Sequence, residues 1–328
     1  MPTLLTNRRM HPALAARIER SLHGGHHTSA WKRRMLVSLR FAVPTICIVC
    51  ATWLLSQLKQ DNAAFAARKA RLEKEVEAQQ LPAGDQRVAR LSKVQAWLTR
   101  ESAQYPGDAT SPELKDPRQL SDTLRRNLYY LRTDLLAARA GTPAKDLAGA
   151  SSRDAFLLCF LSPPKDREQR TLLSRVRTAY AGDERLGWDT RFAASLNAAY
   201  QGLPYLQSDW LEKVKRSSDL RALESLEREQ ARAPLPATLK ALDSELLLAV
   251  FDEPGEAGAT VELDGERPHV VRVSLIDLER DRVVLRRRSR VAPDWIPEAT
   301  RIRYARGLDA CALGYDIRQS LDAPVAAQ

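Results

Sequence analysis

Apolar and polar positions follow three patterns along this chain. Residues 41–58 carry no charged side chain, residues 82–230 place apolar side chains mainly at helical spacing, and beyond residue 236 apolar and polar side chains begin to alternate. These patterns are typical of membrane helices, amphipathic helices and strands, respectively. We therefore expect a mainly α protein with a single transmembrane helix, a helical extracytoplasmic domain and a small C-terminal α+β unit with an antiparallel hairpin.

The uncharged run predicts a transmembrane signal anchor over residues 36–58. Its 18 uncharged residues would extend roughly 27 Å as a helix, close to the thickness of a bilayer core. A basic flank precedes the run and consists of Lys32, Arg33, Arg34 and Arg40. Basic residues favour the cytoplasmic side, so we expect a basic cytoplasmic tail over 1–35 and a periplasmic bulk.

The Arg- and Ala-rich composition is typical of GC-rich bacterial genomes, which makes the bacterial inner membrane the expected location. A cleaved export signal is the alternative. Arg33 and Arg34 before apolar residues resemble a twin-arginine signal, and Ala64-Phe65-Ala66 would serve as a cleavage site. A polar stretch over residues 59–62 separates the apolar run from that site. This separation favours the uncleaved anchor over a signal-cleaved secreted enzyme.

Residues 59–81 predict a helical stalk. Phe65, Leu72 and Val76 are apolar at helical spacing, but charged and polar residues interrupt the coiled-coil pattern. A homodimer through span and stalk and a solvated linker helix therefore both remain open. A break at Pro82 begins the helical domain, which we assign to residues 82–235.

Within that domain, a stripe of leucines predicts a core-facing helix, because its members recur every three or four residues. The stripe comprises Leu120, Leu124, Leu128, Leu131 and Leu135. Residues 236–328 predict the α+β domain. Its alternating segments, 269–278 and 282–290, are separated by a short polar turn and predict the two strands of the hairpin.

Two features of the extracytoplasmic part are candidates for sites. Cys159 and Cys311 would form a disulfide in an oxidising compartment, or would be two separately buried thiols. Arg286, Arg288 and Arg290 alternate along a predicted strand and so share one face. They predict a surface for an anionic ligand or a partner, with a charge-neutralised edge strand as the alternative.

Sequence motifs of catalysis and of cofactor binding are missing. The chain has no His-Glu-x-x-His, Gly-x-Ser-x-Gly or phosphate-binding glycine motif. We therefore expect no catalytic residue, no cofactor and no metal site. Of the net charge of +10, most lies in residues 1–40, which hold eight Lys or Arg against one Glu. The nearly balanced remainder argues against nucleic acid as a partner.

These features together predict a non-enzymatic scaffold or assembly component of a bacterial envelope complex. The expected partners are the membrane, through a single span, and other proteins. The alternative function is an extracytoplasmic binding or sensory domain for an anionic ligand. The sequence leaves any small-molecule ligand undetermined.

Overall fold

The computed structural model describes residues 29–151, 155–181, 193–254 and 268–322. The chain divides into two compact units, one up to Arg71 and one from Leu72 onwards. Helix α1, Ser29–Gln79, begins in the first unit and ends in the second. Its side chains are described from Thr45, with Ile46 excepted. The second unit contains all of the strands found in the described part of the chain.

Helices and strands alternate along the second unit. After α1 the elements are α2 (Gln86–Ala103), β1 (Ala109–Thr110), α3 (Pro117–Arg125), β2 (Leu128–Asp134), α4 (Leu135–Arg139), α5 (Ala144–Ala150), α6 (Ala155–Leu161), α7 (Gln169–Ala181), β3 (Ala193–Ser195), α8 (Leu196–Gly202), α9 (Ser208–Lys215), α10 (Leu220–Arg232), α11 (Leu235–Leu242), β4 (Leu246–Asp252), β5 (His269–Asp277), β6 (Arg282–Val291) and α12 (Glu298–Asp322). Short 3-10 turns cover Pro112–Leu114, Leu203–Leu206 and Pro293–Trp295.

The six strands form one mixed sheet in the order β1-β6-β5-β4-β2-β3. Strand β2 runs parallel to β3 and β4, whereas β4, β5, β6 and β1 pair in antiparallel fashion. Every residue of β4 is buried. Its sequence, Leu-Leu-Leu-Ala-Val-Phe, is the continuous apolar run that a strand covered on both faces requires.

Helices cover both faces of the sheet and divide its core in two. On one face, α2, α4, α5, α8 and α11 pack against alternate strand residues such as Tyr129, Leu247 and Phe251. On the other face, α3, α6 and α12 pack against the intervening residues, such as Leu128 and Leu248. The two sets alternate because successive strand side chains point to opposite faces. The second unit is therefore a three-layer α/β/α arrangement.

The prediction of a membrane span over residues 36–58 is wrong. Within the part of the chain that the structure describes, no helix combines the length and the apolar character needed to cross a bilayer. The prediction of a single-pass signal anchor depends on this span and is therefore wrong as well. The described part of the chain leaves out the predicted tail up to residue 28. It also leaves out the side chains of the basic flank, which comprises Lys32, Arg33, Arg34 and Arg40.

The predicted fold class is wrong in a second respect, although the helical content is confirmed. The sheet is not confined to a small C-terminal unit, because β2 lies inside it, between β4 and β3, and comes from the segment predicted to be all helical. The leucine stripe is split among three elements, with Leu120 and Leu124 in α3, Leu128 and Leu131 in β2 and Leu135 in α4. All five leucines are buried, and a short apolar run fits a buried strand as well as a helix.

Helices α6 and α12 approach each other closely at Gly314. A Cβ atom added there would lie 2.5 Å from the carbonyl oxygen of Phe156 and 3.0 Å from the amide nitrogen of Phe160. Both of these atoms belong to the backbone of α6, so the two helices would have to separate to admit a methyl group. The close packing of these helices therefore requires glycine at this position.

Replacing Gly314 with alanine is expected to lower the free energy of unfolding by about 1–3 kcal/mol, because it overpacks this contact. The matched control is Gly149→Ala, whose added Cβ would meet only the Asn197 Oδ1 atom, at 3.9 Å. That control is expected to be neutral or stabilising by up to about 1 kcal/mol, through helix propensity. Urea unfolding measures both changes. Equal stability of the two variants would contradict the close packing.

Candidate functional site

Alternate arginines of β6 lie on the sheet face that packs against α2. The register pairs Arg286 with Ser274 and Arg288 with Arg272 of β5. Because side chains alternate along a strand, Arg286 and Arg288 share this face with Arg290. We call Arg272, Arg286, Arg288 and Arg290 the arginine face. On this face, arginine occupies three alternate positions of β6 and the position of β5 that lies opposite Arg288.

The first carboxylate on the arginine face is Glu101, near the end of α2. It is buried and accepts hydrogen bonds from Arg286 Nε at 2.7 Å and Arg286 Nη2 at 2.5 Å. Its Oε2 atom also accepts a hydrogen bond from Ser274 Oγ at 2.7 Å. The bonds and charge of Glu101 raise the pKa of Arg286, against the opposing effect of burial. The Arg286 side chain is therefore held against Glu101 in the protein interior.

The second carboxylate is Glu253, directly after β4. It accepts hydrogen bonds from Arg272 Nε at 2.5 Å and from Arg288 Nε and Nη2 at 2.9 and 2.8 Å. Burial alone would raise the pKa of Glu253, but the bonds from Arg288 and Arg272 outweigh it and lower the pKa. One carboxylate therefore links two guanidinium groups from neighbouring strands.

A further buried ion pair lies on the opposite face, at the carboxyl ends of β2 and β4. Arg132 donates from Nε and Nη2 to the two carboxylate oxygens of Asp252, at 2.9 and 2.7 Å. The two side chains are 4% and 0% exposed, and His269 Nε2 lies 3.5 Å from Asp252 Oδ1. Burial by itself would raise the pKa of Asp252, but Arg132 and His269 lower it to about 2.

A disulfide between Cys159 and Cys311 joins α6 to α12, with Cα atoms 5.1 Å apart. It lies in a small third cluster of buried side chains between these helices and α7. The bridge links residues 152 positions apart in the sequence. It therefore ties the last helix to a helix that precedes β3 and β4. The two remaining cysteines, Cys47 and Cys50, are free thiols exposed on α1.

Helix α1 also exposes a group of large apolar side chains, which we call the apolar surface of α1. Its members are between 54% and 64% exposed and comprise Ile48, Val49, Trp53, Leu54, Leu55 and Leu58. Farther along the same helix, two of the apolar stalk positions, Leu72 and Val76, are buried, whereas Phe65 is partly exposed. Homodimerisation stays a prediction.

The structure gives an interaction partner to each of the three arginines that were predicted to bind an anion or a protein. Arg286 and Arg288 are engaged by carboxylates, and Arg290 also has an interaction partner. Binding of an anion or partner by these three arginines stays a prediction. Sequence reasoning missed Glu101 and Glu253, which complete the face. The only signal for Glu253 was its place directly after an apolar strand; Glu101 is indistinguishable in sequence from other helical glutamates.

Within residues 29–151, 155–181, 193–254 and 268–322, no three His, Cys, Asp or Glu side chains converge as metal ligands would. The alternative of a signal-cleaved secreted enzyme stays a prediction.

Comparison of the chain with protein-family models, with curated proteins and with solved structures finds no match.

Replacing Asp252 with asparagine is expected to lower the free energy of unfolding by about 3–5 kcal/mol, because it removes the buried negative charge that Arg132 contacts through two hydrogen bonds. The depressed pKa of Asp252 gives wild-type protein stability that is present above the unfolded pKa near 4 and is lost as pH falls to about 2. The variant should lack this contribution to the pH dependence. Urea unfolding at several pH values measures both effects.

The control for this comparison is Asp316→Asn, which removes the exposed partner of Arg167. Exposed ion pairs contribute at most about 1 kcal/mol, so its effect should be small. A D252N protein as stable as this control at neutral pH would contradict the structural role of the buried pair.

Proposed function

We propose that the protein is a non-enzymatic assembly component of a bacterial envelope complex, and that it binds a helical protein partner through the apolar surface of α1. The observation that carries this proposal is the exposure of six large apolar side chains within residues 48–58. Exposed apolar patches on folded proteins commonly mark interaction sites. A partner helix with its own apolar face is the occupant that matches a helical surface.

The size of this surface supports a protein partner. Six large side chains, each more than half exposed, present on the order of several hundred Å², comparable to the largest apolar patches of ordinary monomers, about 300–600 Å². A standard interface buries about 800 Å² on each partner. One docked helix could therefore supply most of the contact that a stable complex needs.

The disulfide supports the proposed location of the folded body. Bonds of this type persist in oxidising compartments and are rare in the bacterial cytosol. The Cys159–Cys311 bridge closes a long segment that includes β3, β4, β5 and β6. An exported body, on the outer side of the cytoplasm, is the environment in which such a bridge contributes to stability.

Site-specific photo-crosslinking in living cells tests the proposal. A photoreactive residue at Leu55, within the apolar surface, is expected to give adducts with one protein species. Mass spectrometry should place the crosslink in an apolar helix of that protein. The matched control is the same photoreactive residue at Gln60, which is exposed on the same helix but polar. Adducts should be several times weaker there, because no apolar contact orients the partner.

A double variant, Leu54→Glu and Leu55→Glu, should reduce co-purification of the crosslinked partner by at least about tenfold, since it places two charges in the apolar contact. Gln57→Glu, which adds one charge at another exposed position of the helix, is the control. Adducts at Leu55 with lipid alone, or no adducts from correctly oxidised protein, would contradict the proposed function.

A further inference from the structure

Arg272 is buried but only partly hydrogen-bonded. Its side chain is 8% exposed, and its Nε atom donates to Glu253. Its Nη1 atom is also buried and has no hydrogen-bond partner. A buried cationic donor without an acceptor is unfavourable, and in native structures such groups are uncommon enough to require an explanation. An acceptor from outside the chain would supply the missing bond.

The charges around Arg272 also favour an additional anion. Arg272 and Arg288 stand directly opposite each other in the β5–β6 register, and like charges in this position repel. Both guanidinium groups share the single carboxylate of Glu253. The neighbouring carboxylate of Asp108 accepts instead from Arg287 Nη1, the Arg288 backbone amide and the Tyr105 hydroxyl. The two guanidinium groups therefore share one carboxylate, and a second negative group would balance them.

The position of Arg288 opens this pair to solvent. The Arg288 side chain is 47% exposed, whereas Glu253 beside it is 11% exposed. Next to Arg272, the Tyr105 ring lies with its centroid 5.5 Å from the guanidinium carbon. An anion could thus approach over Arg288, while the Tyr105 ring borders the inner end of the pair.

We propose that Arg272 and Arg288 form a binding site for a small oxyanion, a carboxylate or a phosphate. Nη1 is buried in this structure, so binding includes a local movement that uncovers it. One ligand oxygen then accepts a hydrogen bond from Arg272 Nη1, and the exposed part of the Arg288 guanidinium balances the remaining charge. Planar guanidinium groups suit both anions, because their N–H donors match paired oxygens. Arg286 is excluded from the site because Glu101 engages it through both Nε and Nη2. This site is independent of the apolar surface of α1 and goes beyond the assembly role.

Anion titrations of the full chain test the site, with inorganic phosphate and acetate as separate probes at constant ionic strength. We expect one of them to bind saturably by calorimetry and to raise the melting temperature in parallel. Arg288→Gln should weaken that binding by at least about tenfold, since a charge-assisted hydrogen bond is lost. Arg288→Lys keeps the charge but not the planar donors. Its anion affinity should lie between that of wild type and that of Arg288→Gln.

The control variant is Arg167→Gln, which breaks the exposed pair with Asp316 on the helical side of the protein. Its anion affinity should equal that of wild type. Arg272→Gln removes a buried cation from Glu253 and can fail to fold, so the half-exposed Arg288 carries the test.

Each outcome of the titration bears on the proposal. Saturable binding of phosphate alone or of acetate alone supports the site and identifies its ligand class. Phosphate stabilises proteins in general through exclusion from their surface. An equal, non-saturating rise of the melting temperature in wild type, R288Q and R167Q would therefore overturn the proposal. Absence of saturable binding for both anions, in protein that melts cooperatively, would overturn it as well.

Discussion

Strand β4 is buried along both of its faces, and this burial is the constraint on which the rest of the second unit depends. A strand without a polar face has to lie inside a sheet and needs a helical layer on each side. The layers are present, with α2 and α11 on one face and α6 and α12 on the other. Its neighbours β2 and β5 satisfy its backbone hydrogen bonds from parallel and antiparallel directions.

The same burial determines how the charges are arranged at the end of β4. Asp252 and Glu253 directly follow the apolar run of β4. Both carboxylates therefore lie at the end of the buried strand, at the edge of the protein interior. Each is matched by arginine, Asp252 by Arg132 and Glu253 by a pair from β5 and β6. Without these partners, the buried carboxylates would be unfavourable. The arginine-rich sequence of β6 is thus in large part a structural requirement. The proposed oxyanion site combines the partly bonded Arg272 of β5 with the half-exposed Arg288 of β6.

The two units of the chain differ in how they use apolar surface. In the second unit, apolar side chains are gathered into clusters between the sheet and its helices, and a disulfide holds α6 and α12 together. In α1, from Ile48 to Leu58, large apolar side chains stay exposed. An assembly role agrees with this contrast, because a rigid body and an exposed helical surface are the two properties that a docking component combines.

Several features could be derived from the sequence because they depend on neighbouring residues. Alternation identified strands β5 and β6 and placed Arg286, Arg288 and Arg290 on one face. The leucines from Leu120 to Leu131 were misassigned because helix and buried strand share the same short apolar pattern. The prediction of a membrane span over residues 36–58 was wrong, because within the described residues no helix is both long and apolar enough to cross a bilayer.

The sequence by itself determined which residues are apolar, which face of a strand they occupy and where turns interrupt them. Only the tertiary structure decided that β2 enters the sheet beside β4, that Glu101 meets Arg286 from 185 positions away, and that Cys159 meets Cys311. Local patterns report the period of a segment but carry no information on its distant neighbours. The pairing of buried charges is such a long-range property, because it depends on which strands the packed layers bring side by side.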